Sequence, residues 1–188
     1  RRSYDSIDRF AAAYPRRPLV VMLTGTDLYR DIRIDAGAKR SLRLATRLIV
    51  LQELGPLELP RHLRAKTRVI YQSTQPPKPQ RPLSSRFEVC VSGHLRDVKD
   101  PFRLAAALAH LPPASRVRAV QIGGAMNASM KAAAQRWARR EMRYCWLGEL
   151  PHAAAVRRLA RARMMVISSR MEGGANVVTE ALAARVPV

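Results

Sequence analysis

Short apolar runs alternate with helix-prone segments along this chain. In the first part, residues 19–23 predict a strand, the alanine-containing stretch 38–46 a helix, and residues 48–51 and 67–71 two further strands. The alternation then stops and starts again. Strands are predicted at 87–92, 116–122, 143–147 and 164–168, with helices at 101–110, 127–140, 152–162 and 176–184. Strands that are apolar throughout, each followed by a helix, predict an α/β protein with parallel sheets covered by helices on both faces.

The break lies at 72–82, where Pro76, Pro77, Pro79 and Pro82 crowd together. Proline removes a backbone donor and clashes within helices, so this stretch continues neither a helix nor a central strand. It reads as a linker. The expected division is therefore a first α/β domain over 1–75, a linker over 76–86 and a second domain over 87–188. The chain opens on Arg1-Arg2 without methionine and stops at Val188 where a strand begins, so both domains are expected to be incomplete.

Composition narrows the classes. At 47% hydrophobic residues, 188 positions are enough to bury a core, and no apolar stretch reaches membrane-spanning length. Thirty-four Lys and Arg against 14 Asp and Glu give a net charge of +20, which raises nucleic acid as a partner. The basic residues are mostly arginines scattered through every segment, without a helix-turn-helix or an aromatic RNA-binding signature. A small anionic substrate suits the charge equally, and no nucleic-acid partner is expected; a basic α/β nucleic-acid binder is the alternative of another class. Cys90 and Cys145, each in a predicted strand, read as buried free thiols suited to a reducing cytoplasm.

The most informative segment runs Ser168-Ser169-Arg170-Met171-Glu172-Gly173-Gly174-Ala175-Asn176 into the helix-prone Val177–Leu182. It follows a predicted buried strand, which places Glu172, the glycine pair, Asn176 and Glu180 on a strand–loop–helix turn. Glycine lets backbone approach a ligand closely, free amides at a helix start attract anions, and carboxylates accept hydrogen bonds from vicinal hydroxyls. Those parts together suit a nucleotide sugar. Individually they read more plainly: Asn176 as an N-cap, Glu180 as a first-turn carboxylate favoured by the macrodipole, Gly173-Gly174 as a turn.

Two more turns leave predicted strands. Gly93-His94-Leu95-Arg96-Asp97-Val98-Lys99-Asp100-Pro101 follows 87–92, with Asp100 and Pro101 expected as N-cap and first helical residue. Ligands of open α/β sheets bind at such carboxyl ends. Thr24-Gly25-Thr26-Asp27 with Arg30 follows 19–23 and presents polar groups, Asp27 serving equally as a helix cap. Gly123-Gly124 and Leu147-Gly148 end two further strands and read most simply as strand-to-helix turns.

The Ser169 to Ala181 string resembles the glutamate-x7-glutamate signature of retaining GT-B glycosyltransferases (glycosyltransferase family 4-like), commonly Ser-x-x-Glu-Gly-x-Gly-x-x-x-x-Glu-Ala. Ser169, Glu172, Gly173, Glu180 and Ala181 match; Ala175 stands where the second glycine is usual, with Gly174 before it. The resemblance implies two facing Rossmann-like domains, a uridine diphosphate sugar as donor and no cofactor or metal. Within it, Glu172 contacts the donor sugar and Glu180 the ribose, with Gly173, Gly174 and Asn176 completing the donor loop. The turn at Gly93 corresponds to a Gly-Arg-Leu…Lys turn that grips the diphosphate. Lys99 matches the lysine, His94 stands in the arginine position, and Arg96 is a substitute cation. Catalytic roles then fall on Glu172 and Lys99.

The phrases Thr24–Ile32, Val69–Ser73 and Gly93–Arg103 are similar to the selenosugar synthases of selenoneine biosynthesis, a branch of that superfamily. This narrower resemblance implies selenophosphate as acceptor, held by Thr24, Gly25, Thr26 and Arg30. The histidine common at this turn is replaced by Thr24, so no histidine base is expected. An ordinary hydroxyl acceptor on a sugar, lipid or natural product is the alternative.

Overall fold

In the computed structural model, which describes residues 3–188, the chain separates into two compact units. The first ends at Gln72 and also contains Met171–Ala175; Ser73–Arg170 and Asn176–Val188 form the second. Residues 171–175, expected with the second domain, thus group with the first unit.

In the first unit, β1 (Val20–Leu23), β2 (Arg47–Val50) and β3 (Thr67–Val69) form a parallel sheet in the order β1-β2-β3. Helix α1 (Tyr4–Ala13) precedes it; a turn of π-helix (Asp27–Asp31), the single turn α2 (Ile32–Ile34) and α3 (Ala36–Leu44) join β1 to β2. Leu23, Leu28, Leu42, Leu48 and Val50 make the core. The apolar pattern missed α1 because none of its residues is buried. It is held through Tyr4, whose ring lies so close to Gly37 that a Cβ there would sit 2.7 Å from Cδ2. The carboxylate of Asp35 caps α3 by accepting from the Ala38 amide at 2.9 Å, and Lys66 Nζ donates to the carbonyls of Leu42 and Ala45 at its other end. Burial lowers the Lys66 pKa.

The second unit carries β4 (Phe87–Ser92), β5 (Val117–Ile122), β6 (Tyr144–Trp146) and β7 (Met164–Met165), all parallel, in the order β6-β5-β4-β7. Helices α4 (Arg103–Leu108), α5 (Ala128–Arg140) and α6 (His152–Leu159) connect them, and α7 (Asn176–Ala183) follows β7. Alternation along β5 splits the core: Val120 and Ile122 pack with Leu159, Met165 and Ala181 on one face, Ala119 with Ala105, Leu108 and Tyr144 on the other. This is the expected α/β architecture with helices on both faces.

Several local expectations change. The expected strand 164–168 pairs only over β7, with one further bond from Val166 N to the Cys90 carbonyl before the chain turns away. Asp100 is not an N-cap: it takes a left-handed conformation (φ 42°) after the 3-10 turn Asp97–Lys99, and α4 begins only at Arg103. Its carboxylate accepts from Arg103 Nε at 2.9 Å instead. Cys90 is buried as expected, its thiol pushed up to about 12 by burial, but Cys145 is exposed. Cys145 sits on the edge strand β6, where alternation sends Tyr144 inward and its neighbour outward.

Candidate functional site

The order β6-β5-β4-β7 contains a switch point. The chain leaves β4 toward α4 on the Ala119 face, and leaves β7 toward α7 on the opposite face. Loops that depart to opposite faces from neighbouring strands open a crevice beyond their carboxyl ends, the preferred ligand position in such sheets. The departing loops here are the Gly93–Asp100 turn and the Ser168–Arg170 stretch after β7. They are joined: Ser168 Oγ donates to the Asp100 carbonyl at 2.9 Å, and the Arg170 amide donates to the Val98 carbonyl at 2.8 Å. The Asp100 carboxylate also lies 3.8 Å from Arg170 Nη2. Lys99 is the last residue of the 3-10 turn within this junction and is half-buried.

Beside it, the turns after β4, β5 and β6 stack through glycines. Gly123 has φ 134°, and a Cβ there would meet the Gly93 carbonyl oxygen at 2.1 Å. Only glycine permits that approach. The Gly123 amide donates to the Gly148 carbonyl at 2.7 Å, and Trp146 Nε1 donates to the Gly123 carbonyl at 2.9 Å. The space beyond Gly93 itself is open, with nothing within 4 Å of where a Cβ would stand. His94 and Arg96 are exposed on this turn; His94 Nε2 lies 3.9 Å from Glu149 Oε1, too far for a hydrogen bond.

The Glu180 side chain is the best defined element of the site. It is 7% exposed, and its Oε1 accepts from His152 Nε2 at 2.8 Å and from Asn176 Nδ2 at 2.9 Å. Neither bond goes to Oε2. Glu180 is the fifth residue of α7, so the first-turn macrodipole reading does not apply to it. Asn176 is the first residue of α7, and its side-chain amide serves Glu180 four positions on. His152 was not picked out from sequence. Its only signal was position, the first residue of a helix after the β6 strand end. A cleft of about 760 Å³ opens next to it, between residues 74–80 and the side chains of His152, Val156 and Arg157.

The remaining expected residues belong to the first unit. Gly173 is buried against the Thr24–Gly25 turn, where a Cβ would fall 1.4 Å from the Thr24 carbonyl oxygen. A Cβ on Gly174 would meet Leu51 Cβ at 2.4 Å. The structure therefore brings the glycine pair onto the turn holding Thr24, Gly25 and Thr26. That turn is closed by its own carboxylate. Asp27 Oδ1 accepts from the Gly25 amide at 2.7 Å, and Oδ2 from the Thr24 amide at 2.9 Å; the Thr24 hydroxyl is 3.3 Å from Oδ1. Asp27 is thus not the expected helix cap: it is the first residue of the π-helical turn, with Thr26 before it at the N-cap position, and its carboxylate folds back to engage the Thr24 and Gly25 donors expected for an anion. Arg30 is exposed and pairs with Asp31 at 3.4 Å. Glu172 is half-buried in this segment.

Among the described residues, no three His, Cys, Asp or Glu side chains converge as a metal site, and no helix is long and apolar enough to cross a membrane. What the second unit offers is a half-engaged buried carboxylate and a cationic, glycine-lined turn, the chemistry to receive hydroxyls and phosphates.

Known structures share this fold. HepE of Anabaena, in complex with UDP and glucose, superposes with a TM-score of 0.80 at 20% identity, covering 98% of this chain and 56% of that one. The complex of the same protein with UDP-glucose gives 0.78 at 20% identity, covering 98% and 57%. Sucrose-phosphate synthase from Thermosynechococcus elongatus gives 0.70 at 17% identity, covering 99% and 60%. The chain thus spans little more than half the length of the HepE chain. No curated protein sequence matches it. The family described as Glycosyl transferases group 1 matches residues 73–188, well over half of the chain, and this protein belongs to that family.

Proposed function

We propose that the complete protein is a GT-B glycosyltransferase that moves a sugar from a uridine diphosphate sugar to a small acceptor, without a cofactor. The observation that carries this reading is the buried Glu180 carboxylate, held by one oxygen beside the β4/β7 switch point. In this reading Glu180 accepts from the ribose hydroxyls. Lys99 and the amides around Gly93 meet the charge that develops on the departing diphosphate, and Glu172 contacts the sugar. Family membership and the UDP and UDP-glucose bound to HepE support the donor class.

The acceptor has two supports that point apart. The resemblance of the phrases Thr24–Ile32, Val69–Ser73 and Gly93–Arg103 to selenosugar synthases favours selenophosphate, whose selenium would bond to the anomeric carbon as the diphosphate leaves. The Asp27 carboxylate favours a neutral hydroxyl instead, because it occupies the donors of the Thr24–Gly25 turn and repels a second anion. The free thiols of Cys90 and Cys145 accord with a cytoplasmic location.

The test uses the full-length enzyme. Glu180→Ala should weaken UDP binding by roughly 1.5–3 kcal/mol, the worth of hydrogen bonds to a charged group. Wild-type calorimetric affinity in that variant would sink the donor assignment. Mass spectrometry of reactions with selenophosphate or with alcohol acceptors, over a panel of UDP-sugars, then decides the acceptor: a selenium-linked product supports the first reading and an O-linked product the second.

A further inference from the structure

His152 has no part in the signature that identified the loop, yet it is bonded to the residue on which the donor reading depends. We propose that His152 is a positioning residue for the donor: it holds the Glu180 carboxylate so that Oε2 stays available to the vicinal hydroxyls of the nucleotide ribose. This rests on the reading that Glu180 receives the ribose.

An ionised carboxylate only accepts hydrogen bonds, so His152 must carry a proton on Nε2 and Asn176 must present its amide nitrogen. Both donors fall on Oε1. A carboxylate has about four acceptor positions, so two remain on Oε2, enough for the two hydroxyls of a cis-diol. The two donors are not equivalent. Asn176 sits on the same helix as Glu180, four residues before it, and moves with it. His152 reaches across from the start of α6, 28 residues away, and references the carboxylate to a second element. With both donors in place, rotation of the carboxylate group would break one of them; with Asn176 alone, the group can swing.

The surroundings agree with a ligand on this side. The His152 side chain is 75% exposed although its partner is 9% exposed, so the pair runs from the surface down to a buried oxygen. The ring borders the cleft of about 760 Å³ that residues 74–80 share with α6, within the size range of small-molecule sites. An imidazole N–H can donate this bond without bringing a fixed positive charge beside the carboxylate, which a guanidinium cannot do.

The experiment is a binding cycle on the full-length enzyme, with calorimetric Kd values for UDP and 2′,3′-dideoxy-UDP. Wild type should prefer UDP. His152→Ala should shrink that preference by about tenfold, the scale of one ribose hydrogen bond, while dideoxy-UDP affinity and Tm stay put. His152→Gln, which returns an N–H donor, should restore most of it. If His152→Ala is poorly folded, His152→Met keeps the bulk without the donor and carries the same expectation. An unchanged UDP preference in the variants overturns the proposal, as does an equal loss of both ligands alongside a lowered Tm, which marks a purely structural bond. If wild type and Glu180→Gln both fail to distinguish the two ligands, the ribose reading of Glu180 itself falls.

Discussion

The two ends of the second sheet treat their charged groups in opposite ways. At the amino-terminal end, Glu88 is 2% exposed and both of its oxygens are taken by Arg158, Oε2 at 2.6 Å from Nη2, with Arg86 a further 3.6 Å away. Nearby, Arg143 bonds the Glu141 carboxylate and the carbonyl of Leu108, and Arg116 donates to the carbonyls of Ser84 and Ser85. Acceptors and cations there satisfy one another. At the carboxyl-terminal end, another buried carboxylate, Glu180, has no arginine partner among the described residues and is held by one oxygen. The glycine turns beside it expose backbone. A buried charge that is fully matched serves the scaffold. One that keeps an acceptor open is suited to a ligand, because the ligand completes its hydrogen bonding.

The sharpest way to break that contrast is Arg158→Met. It leaves the buried Glu88 with only the more distant Arg86, at 3.6 Å, and should cost about 3 kcal/mol in urea unfolding of the full-length protein. UDP affinity measured under stable conditions should not change; a loss there would mean the two ends are coupled.

Gly123→Ala attacks the other end through the backbone. The required φ of 134° and the 2.1 Å approach to the Gly93 carbonyl both oppose a side chain. Strain and overpacking together should cost about 2–4 kcal/mol. Here UDP binding should weaken as well, since the displaced turn carries the phosphate contacts of the proposed site.

The pH dependence of stability belongs to the amino-terminal end. The hydrogen bond from Arg143 holds the Glu141 pKa down at about 2, against 4.5 for the free side chain. A carboxylate with a lowered folded pKa stabilises the fold above its unfolded pKa, and that contribution disappears as pH falls from about 4.5 through about 2. Glu141→Gln should therefore flatten the acid limb of a Tm–pH profile in that window while changing turnover little.

The smallest stability effect is expected from Lys99→Met, within about 0.5 kcal/mol for a loop substitution of this kind. Turnover at saturating donor should nevertheless fall if, as proposed, the Lys99 ammonium meets the charge of the departing diphosphate. Unchanged turnover would place Lys99 with the scaffold.

Much of this was legible in the residues. An apolar run such as Val89-Cys90-Val91 points to a strand covered on both faces, and the parallel order follows from the helices between the strands. The start of α7 at Asn176 and the strand–loop–helix setting of the motif were also readable. Helix α1 was not, because its stripe of Tyr4, Ile7 and Ala11 is short and only half-buried. Asp100 misled because Asp-Pro is a common helix-start signal, while the backbone here needs a left-handed residue to leave the 3-10 turn. Asp27 misled as well: the helix-cap role expected of it is not taken up, and its carboxylate turns back on the Thr24 and Gly25 amides expected to serve an acceptor.

What the sequence by itself determined about this protein is therefore what depends on neighbours in the chain: the alternation of strands and helices, the proline break, and the eight-residue spacing of Glu172 and Glu180. Those follow from side-chain periodicity and local backbone preference, which act over a few residues. Only the tertiary structure decided which groups answer each other across long separations. It paired His152 with Glu180, set Gly123 against Gly93, and gave Glu88 to Arg158 seventy positions away. Hydrogen bonds and steric contacts of a few ångströms depend on where the packed elements end, and no local pattern records that.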